Sequence, residues 1–412
     1  MPIADLLDRF RPGASVYLPG ATGESLALAQ ALAADPDRLR GVEVTSCLLP
    51  GMNGVDYAGL APDARLTVFM LPAATRKSFA QGRVRLLPLA YSAIARHIAA
   101  AAFDVAIAHV APPDAGGRAS FGIAADFSPI AWNAARQRIA IVNPHMPSMR
   151  RGSSIALAEA DLVVELDGPL VEVAPARPDA TARAIAGRVA ALIPHGAAVQ
   201  VGIGGAPAAL WAALGDHRGL RLRSGLASEE LLALADRGAL ASDGHVAGIA
   251  AGSEGFYRTL ADRDLIRFAD TRETHDAGRI GREERFFAAN SALEVDLFGQ
   301  VNLEWQGGRP VSGAGGAPDF AAAGIGSPGG RSITMLPATA KGGTISRIVA
   351  RLSSPSVSLP RNLADVVVTE HGVADLRHAS LDARAEALIA IADPTMRDVL
   401  AEQWRSLRTA MA

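Results

Sequence analysis

Two carboxylates, Glu229 and Glu230, stand in the segment RLRSGLASEELLALADRGAL (221–240). The pattern predicts the end of a buried strand, a tight turn at Gly225 and then an amphipathic helix. A carboxylate can act as an acid, a base or a nucleophile. Acids in the first turn of a helix are also favoured by the helix dipole. We therefore expect both glutamates to open the helix rather than to react.

A second pair of acids, Glu294 and Asp296, lies in NSALEVDLFGQVN (290–302). Residues two apart on a strand point to the same face, so a buried pair could perform acid–base chemistry. More commonly, the carboxylates of such a pair accept hydrogen bonds from backbone groups or from arginine. Glu294 is our candidate base. Gln300 and Asn302 offer neutral donors that could hold a carboxylate or a carbonyl.

Glycine-rich turns form the third group of candidates. GIGGAP (202–207) follows an apolar run and precedes a helical one, which would present free N–H groups to an anion, although a turn without a ligand explains it equally well. The motif lacks the full GxGxxG spacing, and no second strand that ends in an acidic residue follows at the expected distance. Both observations argue against a nicotinamide-dependent oxidoreductase. SGAGGAPDF (312–320) and PGGRSITMLPATAKGGTISRI (328–348) suggest repeated backbone approach to one extended ligand, with flexible surface loops as the alternative.

Lysine occurs only at Lys77 and Lys341 in a chain that otherwise takes its positive charge from arginine. Lysine supplies a compact ammonium group, whereas arginine supplies a planar guanidinium group. Lys341, in the AKGG sequence, is therefore the natural partner for a phosphate or carboxylate of the extended ligand.

Composition narrows the class of protein. The 412 residues carry a net charge of −2, which argues against binding to nucleic acid. We find no secretory signal and no apolar run of membrane-spanning length, and we expect a cytoplasmic protein with no membrane association. Cys47 is the only cysteine and the histidines are scattered, His145 and His371 in turn-like contexts, so we expect no metal site.

Short strand-like runs alternate with helical ones along the chain. ASVYL, RLTVFM, DVAIAHV, RIAIVN and DLVVEL are candidate strands, and the helical stretches between them predict parallel sheets covered by helices. RPGASVYLPGATGESLALAQAL near the start is weakly repeated by IPHGAAVQVGIGGAPAALWAAL from Ile193. We predict two α/β domains of similar design, 1–180 and 181–412.

Several of these motifs together resemble the acetyl-CoA hydrolase/transferase family of class I CoA-transferases. The resemblance is densest in NSALEVDLFGQVN, SGAGGAPDF, LPATAKGGTISRIV and ADVVVTEHGVADLRHASLDARAEALIAIADP, and it extends to APPDAGGRASFGIAADFSP and VNPHMPSMRRGSS in the first half. It implies two tandem open α/β domains with an acyl-CoA site at their interface, usually in a homodimer. It also implies coenzyme A, as acyl-CoA, and small carboxylic acids as ligands.

The resemblance implies a ping-pong mechanism as well. A glutamate attacks the acyl-CoA thioester, forms an acyl-glutamyl anhydride and then a glutamyl-CoA thioester, and a second carboxylate takes the coenzyme A. By the same resemblance Gly202 and Gly204 line the coenzyme A side. Gly315 and Gly316 resemble the loop that holds the oxyanion and the carboxylate, with Gln300 and Asn302 nearby.

One position departs from the family pattern. The family has a histidine, a serine or threonine and then the nucleophilic glutamate; a gap-free match places Arg223, Ser224 and Gly225 there. The expected nucleophile is thus absent, and Glu229 and Glu230 come one helical turn too late. A water beside Gly225 could attack the thioester directly, with Glu294 as the base, which would make the protein a hydrolase. Lyase or decarboxylase chemistry, or coenzyme A binding without catalysis, are the alternatives.

Overall fold

The computed structural model describes residues 3–411. The strands of the first half are β1 Ser15–Tyr17, β2 Glu43–Thr45, β3 Arg65–Val68, β4 Val84–Leu86, β5 Val105–Val110, β6 Arg118–Ser120, β7 Gln137–Val142, β8 Ser154–Ala156 and β9 Leu162–Glu165. Those of the second half are β10 Ala198–Val201, β11 Arg221–Leu222, β12 Leu226–Ser228, β13 Val246–Ala247, β14 Ile249–Ala251, β15 Arg267–Phe268, β16 Phe286–Ser291, β17 Glu294–Asp296, β18 Val301–Asn302, β19 Trp305–Gln306, β20 Arg309–Pro310, β21 Arg331–Met335, β22 Thr339–Ala340, β23 Ile345–Ser346, β24 Ile348–Val349, β25 Val366–Thr369 and β26 Gly372–Asp375.

The α-helices lie between and after these strands. They are α1 Ile3–Leu7, α2 Leu26–Ala34, α3 Tyr57–Leu60, α4 Arg76–Ala80, α5 Tyr91–Ala100, α6 Ser128–Ala134, α7 Ala180–Ala190, α8 Gly205–Ala213, α9 Glu230–Asp236, α10 Glu254–Arg263, α11 Thr271–Thr274, α12 Ala277–Ile280, α13 Ala317–Gly326, α14 Leu381–Ile391 and α15 Arg397–Ala410. Within residues 3–411, none of them is long and apolar enough to cross a bilayer.

The first half forms a seven-stranded sheet in the order β4-β3-β2-β1-β5-β7-β9, and every neighbouring pair in it is parallel. All residues of β5, VAIAHV, are buried. A parallel strand covered on both faces reads as such a continuous apolar run. The five strands predicted in this half are therefore confirmed as members of one sheet.

The second half forms a six-stranded sheet in the order β11-β10-β16-β21-β25-β26. Its strands are parallel except for the hairpin between β25 and β26. The α/β class with largely parallel sheets, predicted from the sequence, is confirmed. The predicted boundary at residue 180 falls between β9, the last strand of the first sheet, and β10, the first of the second.

Strand order reverses in the second sheet between β10 and β16. β10 continues to β11 on one side, and β16 leads to β21 on the other. In open α/β sheets, ligands bind at the carboxyl ends of the strands where such a reversal opens a crevice. The GIGGAP turn follows β10 and the NSALEVD segment overlaps and follows the end of β16, so both predicted motifs meet at this edge.

The two halves share hydrophobic packing and hydrogen bonds. One cluster of buried side chains runs from Tyr17 in the first sheet to Val368 in the second. The amino end of α5, in the first half, is capped by the second half. The Ser92 backbone N–H and hydroxyl donate to the two carboxylate oxygens of Asp319, at 3.0 Å and 2.6 Å, and the Tyr91 N–H donates to the Gly315 carbonyl at 3.2 Å.

Glu229 joins two helices. It precedes α9, and its carboxylate accepts hydrogen bonds from the Ser253 backbone N–H at 3.1 Å and from the Ser253 hydroxyl at 3.0 Å. Ser253 is in turn the N-cap of α10. Glu230 lies in the first turn of α9. Both glutamates therefore have structural positions at helix ends, in agreement with the expectation from the helix dipole.

This arrangement predicts that replacing Glu229 and replacing Glu230 lower the free energy of unfolding by different amounts. Glu229→Ala removes an acceptor from Ser253 and should lower the free energy of unfolding by about 1–2 kcal/mol, whereas Glu230→Ala should change it by less than about 0.5 kcal/mol. Urea denaturation of both variants measures the difference. Equal effects would contradict the role assigned to Glu229.

Candidate active site

A cavity of about 620 Å³ lies at the carboxyl ends of the strands of the second sheet. Turns of both halves contribute to its wall. The first half provides Leu49, Pro50, Met70, Tyr91, Asp126 and residues 177–179; the second provides residues 200–206, 224–226, 290–293 and 312–317, together with single residues such as His275, Phe320 and Arg347. The cavity therefore lies between the halves, as the resemblance implied for the acyl-CoA site.

The imidazole of His275 fills the space beside Gly225. A Cβ atom added to Gly225 would lie 2.7 Å from Cε1 and 2.8 Å from Nε2 of His275. A Cβ added to Gly316 would lie 2.5 Å from Cδ2 and would also collide with Nε2. Glycine is required at both positions because the ring lies directly between the two turns.

Neighbouring rings and one hydroxyl hold His275 in place. Its ring centroid is 4.6 Å from that of Tyr91 and 4.6 Å from that of Phe320. Nδ1 is 2.9 Å from the Thr274 hydroxyl. Burial lowers the pKa of His275 to about 3, so the imidazole is neutral at neutral pH.

Asp126 is the buried carboxylate of the cavity wall. Its side chain accepts a hydrogen bond from the Thr271 hydroxyl at 2.9 Å, and its backbone adopts a left-handed φ of +35°. Burial raises the pKa of Asp126 to about 7; the Thr271 hydrogen bond opposes this shift. Asp126 and His275 are thus two titratable groups of one cavity whose pKa values are shifted in opposite directions. Such pairs are typical of sites that perform acid–base chemistry.

The predicted glycines lie on the cavity wall. Gly202 and Gly204 follow β10, Gly315 and Gly316 precede α13, and Gly225 lies between β11 and β12. The structure brings these three turns of the chain together around one space. Their assigned roles toward coenzyme A and the oxyanion stay predictions.

Glu294, Gln300 and Asn302 are outside the lining residues and bond within their own hairpin. Glu294 accepts from the Asn302 amide at 3.2 Å. Asp296, which is fully buried, accepts from the Gln300 backbone and side-chain N–H groups at 2.9 Å and 2.8 Å. Burial raises the pKa of Asp296. These contacts give Glu294, Gln300, Asn302 and Asp296 structural roles within the hairpin. The role of Glu294 as a base stays a prediction.

Lys341 is exposed in the turn between β22 and β23 and is outside the cavity lining. The cations that do line the cavity are Arg177 and Arg347. Arg347 is partly buried, its Nε has no hydrogen-bond partner among the described residues, and burial lowers the pKa of its guanidinium. An arginine in this state can bind an anionic or carbonyl group of a ligand.

Sequence reasoning missed His275, Asp126 and Arg347. His275 is separated by 50 residues from Gly225 and by 41 from Gly316, and no periodic pattern connects the three. One signal was present: a glycine in place of a long side chain leaves a space that another residue must fill. Within residues 3–411, no three His, Cys, Asp or Glu side chains are grouped to hold a metal ion.

The fit between Gly225 and His275 predicts a coupled effect on stability. Gly225→Ala should lower the free energy of unfolding by about 1–3 kcal/mol because the added methyl collides with the imidazole. In a His275→Ala background the same change should cost almost nothing. Gly54→Ala, where nothing lies within 4 Å, is the matched control. Urea denaturation of the double-mutant cycle checks this, and equal costs in both backgrounds would disprove the contact.

The raised pKa of Asp126 predicts that the stability difference between Asp126→Asn and the wild type depends on pH. The pKa of Asp126 is raised from its ordinary value of 3.8 to about 7 in the folded protein. The protonated side chain therefore makes its full contribution to the free energy of unfolding below pH 4, and this contribution is lost as the pH rises through 7. Asp126→Asn should therefore gain stability relative to the wild type as the pH rises from 5 to 8, by about 2–3 kcal/mol. Denaturation at both pH values measures this gain. A difference that does not change with pH would show that Asp126 titrates normally.

Comparison with known proteins identifies the family. Residues 2–175 match the acetyl-CoA hydrolase/transferase N-terminal domain, and residues 252–404 match the C-terminal domain of the same family. The 4-hydroxybutyrate coenzyme A transferase of Clostridium kluyveri is 30% identical over 400 residues, which cover 95% of this chain and 93% of that protein.

Solved structures agree over the whole length. RipA from Yersinia pestis superposes with a TM-score of 0.87 at 27% identity, covering 99% of this chain and 100% of that one. A 4-hydroxybutyrate CoA-transferase from Porphyromonas gingivalis gives 0.81 at 28% identity, covering 98% and 96%. The chain therefore belongs to the acetyl-CoA hydrolase/transferase family, and it is a CoA-transferase or acyl-CoA hydrolase, as the sequence predicted.

Proposed function

We propose that this enzyme hydrolyses acyl-CoA thioesters by direct attack of water, without a covalent acyl-glutamyl intermediate. The supporting observation is the imidazole of His275 in the space beside Gly225. If Gly225 stands where the family has its nucleophilic glutamate, the side-chain path of that glutamate is filled by another residue. An anhydride cannot form where there is no carboxylate.

The surrounding groups suit the binding and polarisation of a thioester. On this proposal, the N–H groups of the turn at Gly315 and Gly316 bind the oxyanion of a tetrahedral intermediate. Gly202 and Gly204, at the amino end of α8, approach the same space, and Arg347 lines it as well. An elongated acyl-CoA ligand would lie across these turns.

Transfer between carboxylic acids is the second candidate function, because one observation favours it. Asp126 is a buried carboxylate on the cavity wall and could serve as a nucleophile in place of the missing glutamate. The relatives named as coenzyme A transferases make this the relevant competitor.

The experiment separates the two reactions. Purified protein is incubated with a panel of acyl-CoA esters and ¹⁴C-acetate. We expect release of free coenzyme A and acid in equal amounts, with no label entering the acyl-CoA pool. The relative named butyryl-CoA:acetate CoA-transferase, from Anaerostipes caccae, serves as the positive control for exchange. Rapid exchange, with borohydride reduction of a protein carboxylate mapped to Asp126, would establish transfer instead.

Two further assignments remain expectations. The cytoplasmic location and the homodimer come from the sequence and the family resemblance. The acids released belong, on this proposal, to the class of small carboxylic acids.

A further inference from the structure

We infer that His275 is the catalytic base of this site: its imidazole, which fills the space beside Gly225, activates the water that attacks the thioester. The inference rests on the proposed hydrolysis. It is carried by the placement of the ring between the turn at Gly225 and the turn at Gly316.

The placement brings one nitrogen to both turns. Nε2 is the ring atom nearest to an added Cβ at Gly316 and is 2.8 Å from one at Gly225. A thioester carbonyl held by the N–H groups of the Gly315–Gly316 turn lies beside this nitrogen. A base is effective at hydrogen-bond distance from the water that it deprotonates, so the ring is within reach of a water attacking that carbonyl.

The Thr274 hydroxyl can accept from Nδ1 and so supports the tautomer that the proposal requires. The hydroxyl is 3.4 Å from the Asp270 carbonyl, to which it donates, and 2.9 Å from Nδ1 of His275, from which it can then accept. A proton on Nδ1 leaves the lone pair of Nε2 free. Nε2 has no hydrogen-bond partner among residues 3–411, which makes it available to a water.

The reaction balances with these groups alone. Nε2 takes one proton from water as the water oxygen bonds to the thioester carbonyl carbon, and the carbonyl π electrons move to oxygen, beside the Gly315–Gly316 turn. The tetrahedral intermediate collapses, the C–S bond breaks, and the departing sulfur takes the proton from Nε2. The products are a carboxylic acid and coenzyme A. The imidazolium forms only while the oxyanion is present, which compensates for the low basicity of the buried ring.

His275 also lines a second cavity. This space, of about 470 Å³, is lined by His275 together with exposed side chains that include Arg96 and Arg272. His275 therefore lies between the cavity assigned to the thioester and a surface cavity.

The test compares His275→Gln and His275→Ala with the wild type. Gln keeps a neutral polar side chain but cannot accept a proton, and Ala leaves a space for a free imidazole. We expect kcat for thioester hydrolysis to fall about 100- to 10,000-fold in both, with acyl-CoA affinity nearly unchanged. Added imidazole should restore part of the activity of His275→Ala but none of that of His275→Gln. A purely structural role would not produce this rescue.

The outcomes distinguish this inference from the proposed function. Exchange without hydrolysis in the wild type would refute the proposed function itself. Hydrolysis that persists in both His275 variants, or that is lost only in Asp126→Asn, would overturn the role of His275 alone. If neither His275 variant folds, the solvent deuterium isotope effect on kcat is compared between the wild type and Asp126→Asn: an effect that persists in Asp126→Asn supports proton transfer to His275, and the absence of an effect in the wild type refutes it.

Discussion

The packing of one imidazole between two glycine turns is the contact on which the rest of the site depends. His275 lies against Gly225 and Gly316, which are far from it in sequence, and the rings of Tyr91 and Phe320 cover its faces. No side chain at either glycine is compatible with this arrangement. The contact therefore fixes the distance between the turn that follows β11 and the turn that precedes α13, and these are two sides of the cavity.

Much of the architecture was predictable because parallel sheets leave strong local signals. Buried strands such as β5 read as unbroken apolar runs, and helices begin at capping residues such as Ser25, Asp179 and Ser380. The glycine motifs were also recognisable, since a turn that approaches a ligand needs small residues. Their convergence on one cavity follows from the rule that strand ends of a parallel sheet share an edge.

The chemical groups of the site were less predictable. The strand pattern indicates Glu294 as a base, yet in the structure its carboxylate accepts a hydrogen bond from Asn302 and lies outside the cavity lining. His275 follows an ordinary short helix, and its chemical setting is created by Gly225, Gly316, Tyr91 and Phe320, which only the tertiary fold brings together. A raised or lowered pKa is a property of that setting, since burial is what produces it.

The cap that Asp319 places on α5 has a consequence for how the protein folds. Helix α5 lies in the first half of the chain. The hydrogen bonds of its first turn, however, are accepted by Asp319 and by the carbonyl of Gly315, which lie in the second half. Separated from these acceptors, the helix end would lose its cap and Tyr91 would lose its support on His275. These contacts therefore couple the stability of this helix end to the second half of the chain.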